Sequence, residues 1–161
     1  MENSLEEKLC KYMPARVLKL AAAESCTGGL VSDRITNISG SSEYFLGGVV
    51  SYSNEVKANL LGVSWDTLNL QGAVSKETVI EMACGVRKLF NVEIGISVSG
   101  IAGPTGGTNE KPIGTTWLGL AVNDKEWTRH FIWNGGRMQN KHDSSEAALQ
   151  FVIDYLEGKL T

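Results

Sequence analysis

The chain has 161 residues, 42% of them hydrophobic and 20% charged, with a formal net charge of −3. That is enough to bury a proper core, and the acidic balance without any Lys/Arg run excludes a nucleic-acid stripe. Three widely spaced cysteines (Cys10, Cys26 and Cys84) exclude a disulfide framework or zinc knuckle and point to the cytoplasm, and no apolar run approaches the ~20 residues of a membrane span.

Ser4 with Glu7 forms a capping-box pattern, and Leu5, Leu9, Tyr12 and Met13 follow at helical spacing until Pro14, where the helix is expected to close. This charged, helical start does not read as a signal peptide. Val17 to Ala23 is short and apolar, as a buried strand would be, and runs into Glu24-Ser25-Cys26-Thr27-Gly28-Gly29. Leu30, Val31, Ile35 and Ile38 mark one face of a second helix. A strand over Phe45–Ser53 follows, with Asn54 as the expected N-cap of a helix carrying Val56, Leu60 and Leu61.

Ser75 heads a longer helix with Val79, Ala83, Val86 and Phe90 aligned. "VEIGISVSG" alternates and reads as a strand ending at Gly100. "IAGPTGGTNEKPIG" is a Gly/Pro loop, "TTWLGLAV" a strand, "WTRHFIW" a last strand, and a helix from about Ser144 to Leu156 closes the series. No repeat or linker interrupts the chain, so residues 1–161 read as a single domain. Strands alternating with helices predict a three-layer α/β/α sandwich. The two consecutive late strands make its sheet mixed, though mostly parallel.

Three polar clusters stand where strands end, the usual place for ligands in such sheets. "ESCTGG" can offer free N–H groups to an anion or a developing oxyanion, or can simply cap a helix through Ser25 or Thr27. "SGIAGPTGG" lacks the Lys-Ser/Thr of a P-loop, which excludes a Walker-type site. A backbone nest for phosphate and an ordinary long turn both remain open there. The third cluster is Ser42, Tyr52 and Lys57. A serine hydroxyl needs a base, neither His130 nor His142 is well placed, and a lysine serves if burial lowers its pKa. Taken singly, Lys57 would be a solvated helix residue.

"AESCTGG", "GSSEYFLGGVVSYSNEVK", "GAVS", "SGIAGPTGG" and "KPIGTTW" occur in the order of the CinA C-terminal domain family. Over about Leu5 to Leu156 the chain resembles that family's stand-alone members, the nicotinamide-nucleotide amidohydrolases. The resemblance implies a three-layer α/β/α fold, often dimeric, that deamidates nicotinamide mononucleotide to nicotinate mononucleotide and ammonia without metal or organic cofactor. Carried over residue by residue, it makes Ser42 the nucleophile, with Tyr52 and Lys57 activating it. The glycine-rich motifs (Ser25, Thr27, Gly28, Gly29, Ser99, Gly100, Ala102, Gly103, Gly106 and Gly107) and Arg137 would then bind substrate. The chain departs from the family's "GDR" and following arginine: Gly136 stands in place of the acid, and Lys141 lies near the second arginine. Two rival readings are an amidase with Cys26 as nucleophile and Glu24 as base, and a non-catalytic nucleotide-binding module.

Overall fold

A computed structural model describes residues 3–161. One five-stranded sheet, ordered β2-β1-β3-β4-β5, runs through the middle. Its strands are β1 (Leu20–Glu24), β2 (Phe45–Val50), β3 (Ile94–Gly100), β4 (Thr115–Val122) and β5 (Lys125–Ile132). β1 pairs in parallel with both β2 and β3, while β4 is antiparallel to β3 and to β5. The expected sandwich with a mixed sheet is therefore present, and β4 alone runs against the others.

Helices α1 (Leu5–Ala15), α2 (Leu30–Thr36) and α6 (Arg137–Leu156) cover one face, burying Leu9, Met13, Val31, Ile35, Phe151 and Val152 against Leu20, Ile94 and Leu118. On the other face α3 (Asn54–Leu61), α4 (Trp65–Gln71) and α5 (Lys76–Phe90) cover Ala21 and Ala23 with Leu61, Leu68, Val79, Met82 and Val86. Apolar burial of this kind contributes roughly 25 cal/mol per Å² and dominates the stability of both layers. α3 comes close to α5 because Gly85 has no side chain, and a Cβ there would overlap the Leu61 carbonyl. That contact fixes the helix on which Lys57 sits.

Local chemistry explains most element starts. The Ser4/Glu7 capping box is formed, and Pro14 sits inside the last turn of α1 rather than ending it. α3 is capped by Ser53, which accepts from the Val56 amide, and not by Asn54. β1 begins at Leu20 rather than at Val17, which is 79% exposed with a positive φ of 55°. β2 stops at Val50, and β3 is buried on both faces instead of alternating. α4 has no counterpart among the expected helices. α6 begins seven residues earlier than expected, at Arg137, because its first two turns are polar and carry no apolar stripe.

Arg34 joins the three helices of one layer. Its guanidinium contacts Glu6 at 2.7 Å from Nε, Ser145 Oγ at 2.9 Å from Nη1, and Glu146 at 2.5 Å from Nη2. The arginine side chain is 13% exposed, so these charge-assisted bonds are poorly screened. Arg34→Ala should lower unfolding free energy by about 2 kcal/mol, read as a lower urea midpoint at unchanged slope. A shift of the midpoint within error would mean the cluster is only a surface ion-pair network.

Candidate active site

β1 has β2 on one side and β3 on the other: the chain leaves the carboxyl end of β1 toward β2 and that of β2 back past β1 toward β3, so the direction reverses at β1. Such a switch point opens a crevice beyond the strand ends. Glu24, the last residue of β1, is in register with Val50 and Val98. The segments after those three positions converge on a cavity of about 350 Å³. Ser25 and Cys26 line it from the turn after β1, Tyr52, Asn54 and Lys57 from the β2–α3 junction and the first turn of α3, Ala73 from the loop before α5, and Gly100–Gly103, Thr105 and Gly106 from the end of β3 onward. Arg137 closes one side from the start of α6.

Lys57 is the unusual residue. One turn into α3, it is 1% exposed. Its Nζ donates to Ser25 Oγ at 3.0 Å and to the Ser51 carbonyl at 2.7 Å. Both partners are neutral, so the ammonium is buried without a carboxylate to balance it. Burial therefore pulls its pKa below the ordinary lysine value, and a negative charge on Cys26 would only partly oppose that shift. A lysine tuned this way and touching a serine hydroxyl can act as a base toward it.

The second serine of "GSS" is elsewhere. Ser42 is exposed in a 3-10 turn, Ser41–Glu43, that precedes β2, whereas Tyr52 and Lys57 follow that strand. Six extended residues span about 20 Å. The structure thus brings Tyr52 and Lys57 together with Ser25, and it leaves Ser42 at the opposite, amino-terminal end of β2. The expected Ser42–Lys57 contact is corrected by strand geometry.

Tyr52 stands at the mouth, 64% exposed, and accepts from Arg137 Nη2 at 3.3 Å. Arg137 Nη1 donates to the Gly103 carbonyl at 2.9 Å. Asn140, one turn further along α6, holds the same loop by donating to the Ala102 carbonyl at 3.1 Å while accepting from the Gly135 amide. Lys141 Nζ lies 3.8 Å from where a Cβ on Gly28 would be. It has no acidic partner among the described residues.

The remaining candidates divide in two. Gly100, Ala102, Gly103 and Gly106 line the cavity with Ser25 and Arg137. Thr27 is buried and donates to Glu24, Ser99 is buried and donates to the Ala73 carbonyl, and Gly28, Gly29 and Gly107 lie outside the lining. Gly28 and Gly29, at φ of 60° and 106°, give the turn after Ser25 its shape. Asn54, Ala73, Ile101 and Thr105 were not anticipated. The "YSN" and "GAVS" segments were visible as motifs, but nothing in them distinguishes a lining residue from a loop residue.

The pair of Cys26 with Glu24 has no such geometry. Burial, foremost, pushes the Cys26 thiol up to about 12. Every acceptor direction of the Glu24 carboxylate is occupied by Thr27, Val31 and Ser32. Among the described residues no group of three or more His, Cys, Asp or Glu side chains converges as a metal site, and no helix is long and apolar enough to cross a membrane.

A family model described as the CinA C-terminal domain matches residues 2–156. A CinA-like protein of Kosmotoga olearia is 47% identical over 151 residues, and one of Thermotoga maritima is 43% identical over 158. The chain spans only 37% and 38% of those two relatives' lengths, although they match 94% and 98% of it. Among solved structures, a competence/damage inducible protein from Agrobacterium tumefaciens superposes with a TM-score of 0.92 at 32% identity, covering 98% of this chain and 99% of that one. A competence or damage-inducible protein from Enterobacter asburiae gives the same TM-score and identity, over 96% and 99%.

Proposed function

For a chain that belongs to the CinA C-terminal domain family, we propose amide hydrolysis of nicotinamide mononucleotide, with Ser25 as the nucleophile and Lys57 as its base. The observation that carries this reading is the 3.0 Å hydrogen bond between Lys57 Nζ and Ser25 Oγ inside the cavity. In the neutral amine the same contact runs the other way, and Lys57 takes the hydroxyl proton. Ser25 Oγ then bonds to the carboxamide carbon, and the carbonyl π pair moves onto oxygen. The Cys26 and Thr27 amides, which donate to no other residue among those described, are the donors this reading assigns to that oxyanion, each such donor being worth roughly 3–4 kcal/mol.

Lys57 returns the proton to nitrogen as the C–N bond breaks, and ammonia leaves. Water, deprotonated by Lys57, then adds to the acyl carbon, and Lys57 returns that proton to Ser25 Oγ as the ester bond breaks, which frees the serine hydroxyl and nicotinate mononucleotide. Tyr52 acts at the mouth, where its hydroxyl and Arg137 face the part of the substrate beyond the ring. The nucleotide phosphate suits the N–H groups Arg137 has left over and the Lys141 ammonium, a point charge rather than a fork. A second copy of the chain, as a dimer, and a cytoplasmic location belong to the same reading.

The test is ammonia release from nicotinamide mononucleotide and from free nicotinamide. The nucleotide should be preferred by at least about tenfold in kcat/KM, the worth of one or two charge-assisted contacts. Equal turnover of the two would remove the phosphate argument. No ammonia from either would remove the amidase.

A further inference from the structure

Glu24 is the buried charged side chain at the centre that the steps above do not use. It is 1% exposed. Its Oε1 accepts from Thr27 Oγ1 at 2.6 Å and from the Val31 amide at 2.8 Å. Its Oε2 accepts from the Ser32 amide at 3.1 Å and Ser32 Oγ at 2.7 Å. All four donors are neutral, so an anion is buried here without an ion pair, an arrangement that is costly wherever a neutral group would serve.

A neutral group would serve if the only task were to start α2. Elsewhere in this chain α1, α3, α4 and α5 are each capped by the hydroxyl of the serine immediately before them. α2 instead follows Gly29, which offers no side chain, and its first amides are held from the last residue of a strand. The difference lies in what is tied together. A local serine would hold the helix and leave the Ser25–Gly29 turn free. Glu24 holds the middle of that turn through Thr27 and its far end through Val31 and Ser32. Its own carbonyl meanwhile accepts from the Ser51 amide at 2.7 Å and Ser51 Oγ at 3.1 Å. The Ser51 carbonyl is the second acceptor of Lys57. One residue thus braces both the nucleophile's turn and the base.

We propose that Glu24 is a positioning residue for the acyl-transfer step. Its carboxylate fixes the Cys26 and Thr27 amides against the Ser25 hydroxyl, so that they meet the oxyanion without rearrangement. The inference rests on Ser25 being the nucleophile. It does not require the substrate to be nicotinamide mononucleotide.

Glu24→Gln is the informative change. Two hydroxyls can rotate to accept from the new NH2 group, but a backbone N–H cannot, so one α2 amide loses its partner and the turn loosens. The variant is compared with the wild type in three measurements: thermal unfolding, kcat and KM for nicotinamide mononucleotide, and the rate at which a fluorophosphonate modifies Ser25, followed by intact and peptide mass. In that last reaction Ser25 Oγ bonds to phosphorus, fluoride leaves with the bonding pair, and Lys57 carries the released proton. It builds charge on a phosphoryl oxygen in the same place.

The expected result is a folded variant in which kcat falls on the order of 10²-fold, the size of losing one oxyanion donor, with KM within about threefold. Fluorophosphonate labelling should slow in parallel. Should Glu24→Gln fail to fold, Thr27→Val removes one of the four donors and keeps the shape, and should lower kcat by about tenfold at steady KM. Labelling and kcat that stay within twofold in a folded variant would overturn the inference. So would a loss that merely tracks the unfolded fraction and vanishes on cooling. A wild type that is labelled at Ser25 yet releases no ammonia would end the substrate reading alone, and the labelling rates would still test Glu24. A wild type unlabelled at Ser25 would end both.

Discussion

Ser25→Ala should abolish ammonia release, with kcat falling on the order of 10⁴-fold or more, while Ser42→Ala should stay within about twofold of wild type. The contrast follows from position. Ser25 Oγ is the atom 3.0 Å from Lys57 Nζ, and it is the buried hydroxyl at the carboxyl end of β1. Ser42 is exposed before β2, at the end of that strand away from the cavity, and its hydroxyl has no hydrogen-bond partner among the described residues. Both variants should unfold within about 1 kcal/mol of the wild type, so the activities can be compared directly. A dead Ser42→Ala beside a live Ser25→Ala would reverse the assignment. Cys26→Ala belongs in the same assay and should keep most activity, since a thiol held near 12 supplies no thiolate at neutral pH.

Lys57→Met should be nearly as damaging, losing at least about 10³-fold in kcat as expected when the base of a serine nucleophile is removed. It should at the same time fold at least as stably as the wild type at neutral pH. Methionine fills much of the lysine's volume and brings no charge into a site without a counter-ion. The sign of the pH dependence follows from the direction of the Lys57 shift. Burial holds the native pKa below the 10.5 of an ordinary lysine, so between the two values the unfolded chain binds more protons. Lys57 therefore contributes a penalty that is full below its native pKa and fades as pH rises toward 10.5. Urea midpoints against pH should show the variant's advantage shrinking in alkali. In the wild type, kcat/KM should climb with pH as Lys57 loses its proton, with a midpoint below 10.5. Wild-type activity that is flat with pH, or a Lys57→Met protein that turns over normally, would remove lysine as the base. Lys57→Arg should not rescue, because a guanidinium stays protonated.

Much of this was legible in the sequence, and the failures have identifiable causes. Periodicity and capping located α1, α5, β3 and β4, because serine caps and apolar spacing act within one turn or one strand. α4 went unseen because its seven residues bury only Leu68 among them, too little for a stripe. The polar start of α6 was hidden for a related reason: Arg137, Asn140 and Lys141 face a loop and a cavity rather than a core. At the site, Lys57 and Tyr52 were legible as an amine and a phenol just beyond one strand. Their partner serine was not. Ser42 is nearer to Lys57 along the chain than Ser25 is, yet a parallel sheet brings together the carboxyl ends of strands. The choice between two serines therefore depended on strand order, which the residues around them do not encode locally. Glu24 was visible only as an acid beside a cysteine, and its four donors come from residues as far away as Ser32.

Ser25 and Lys57 are 32 positions apart in the chain and meet only when β1 and β2 align in parallel across an intervening helix. Parallel pairing closes a long loop before any ladder bond repays it, and so comes late on a folding route. Helices with their own serine caps need no such closure. Until that closure is made, the Lys57 amine and the Ser25 hydroxyl have no contact with one another. The proposed pair therefore becomes complete only together with the sheet.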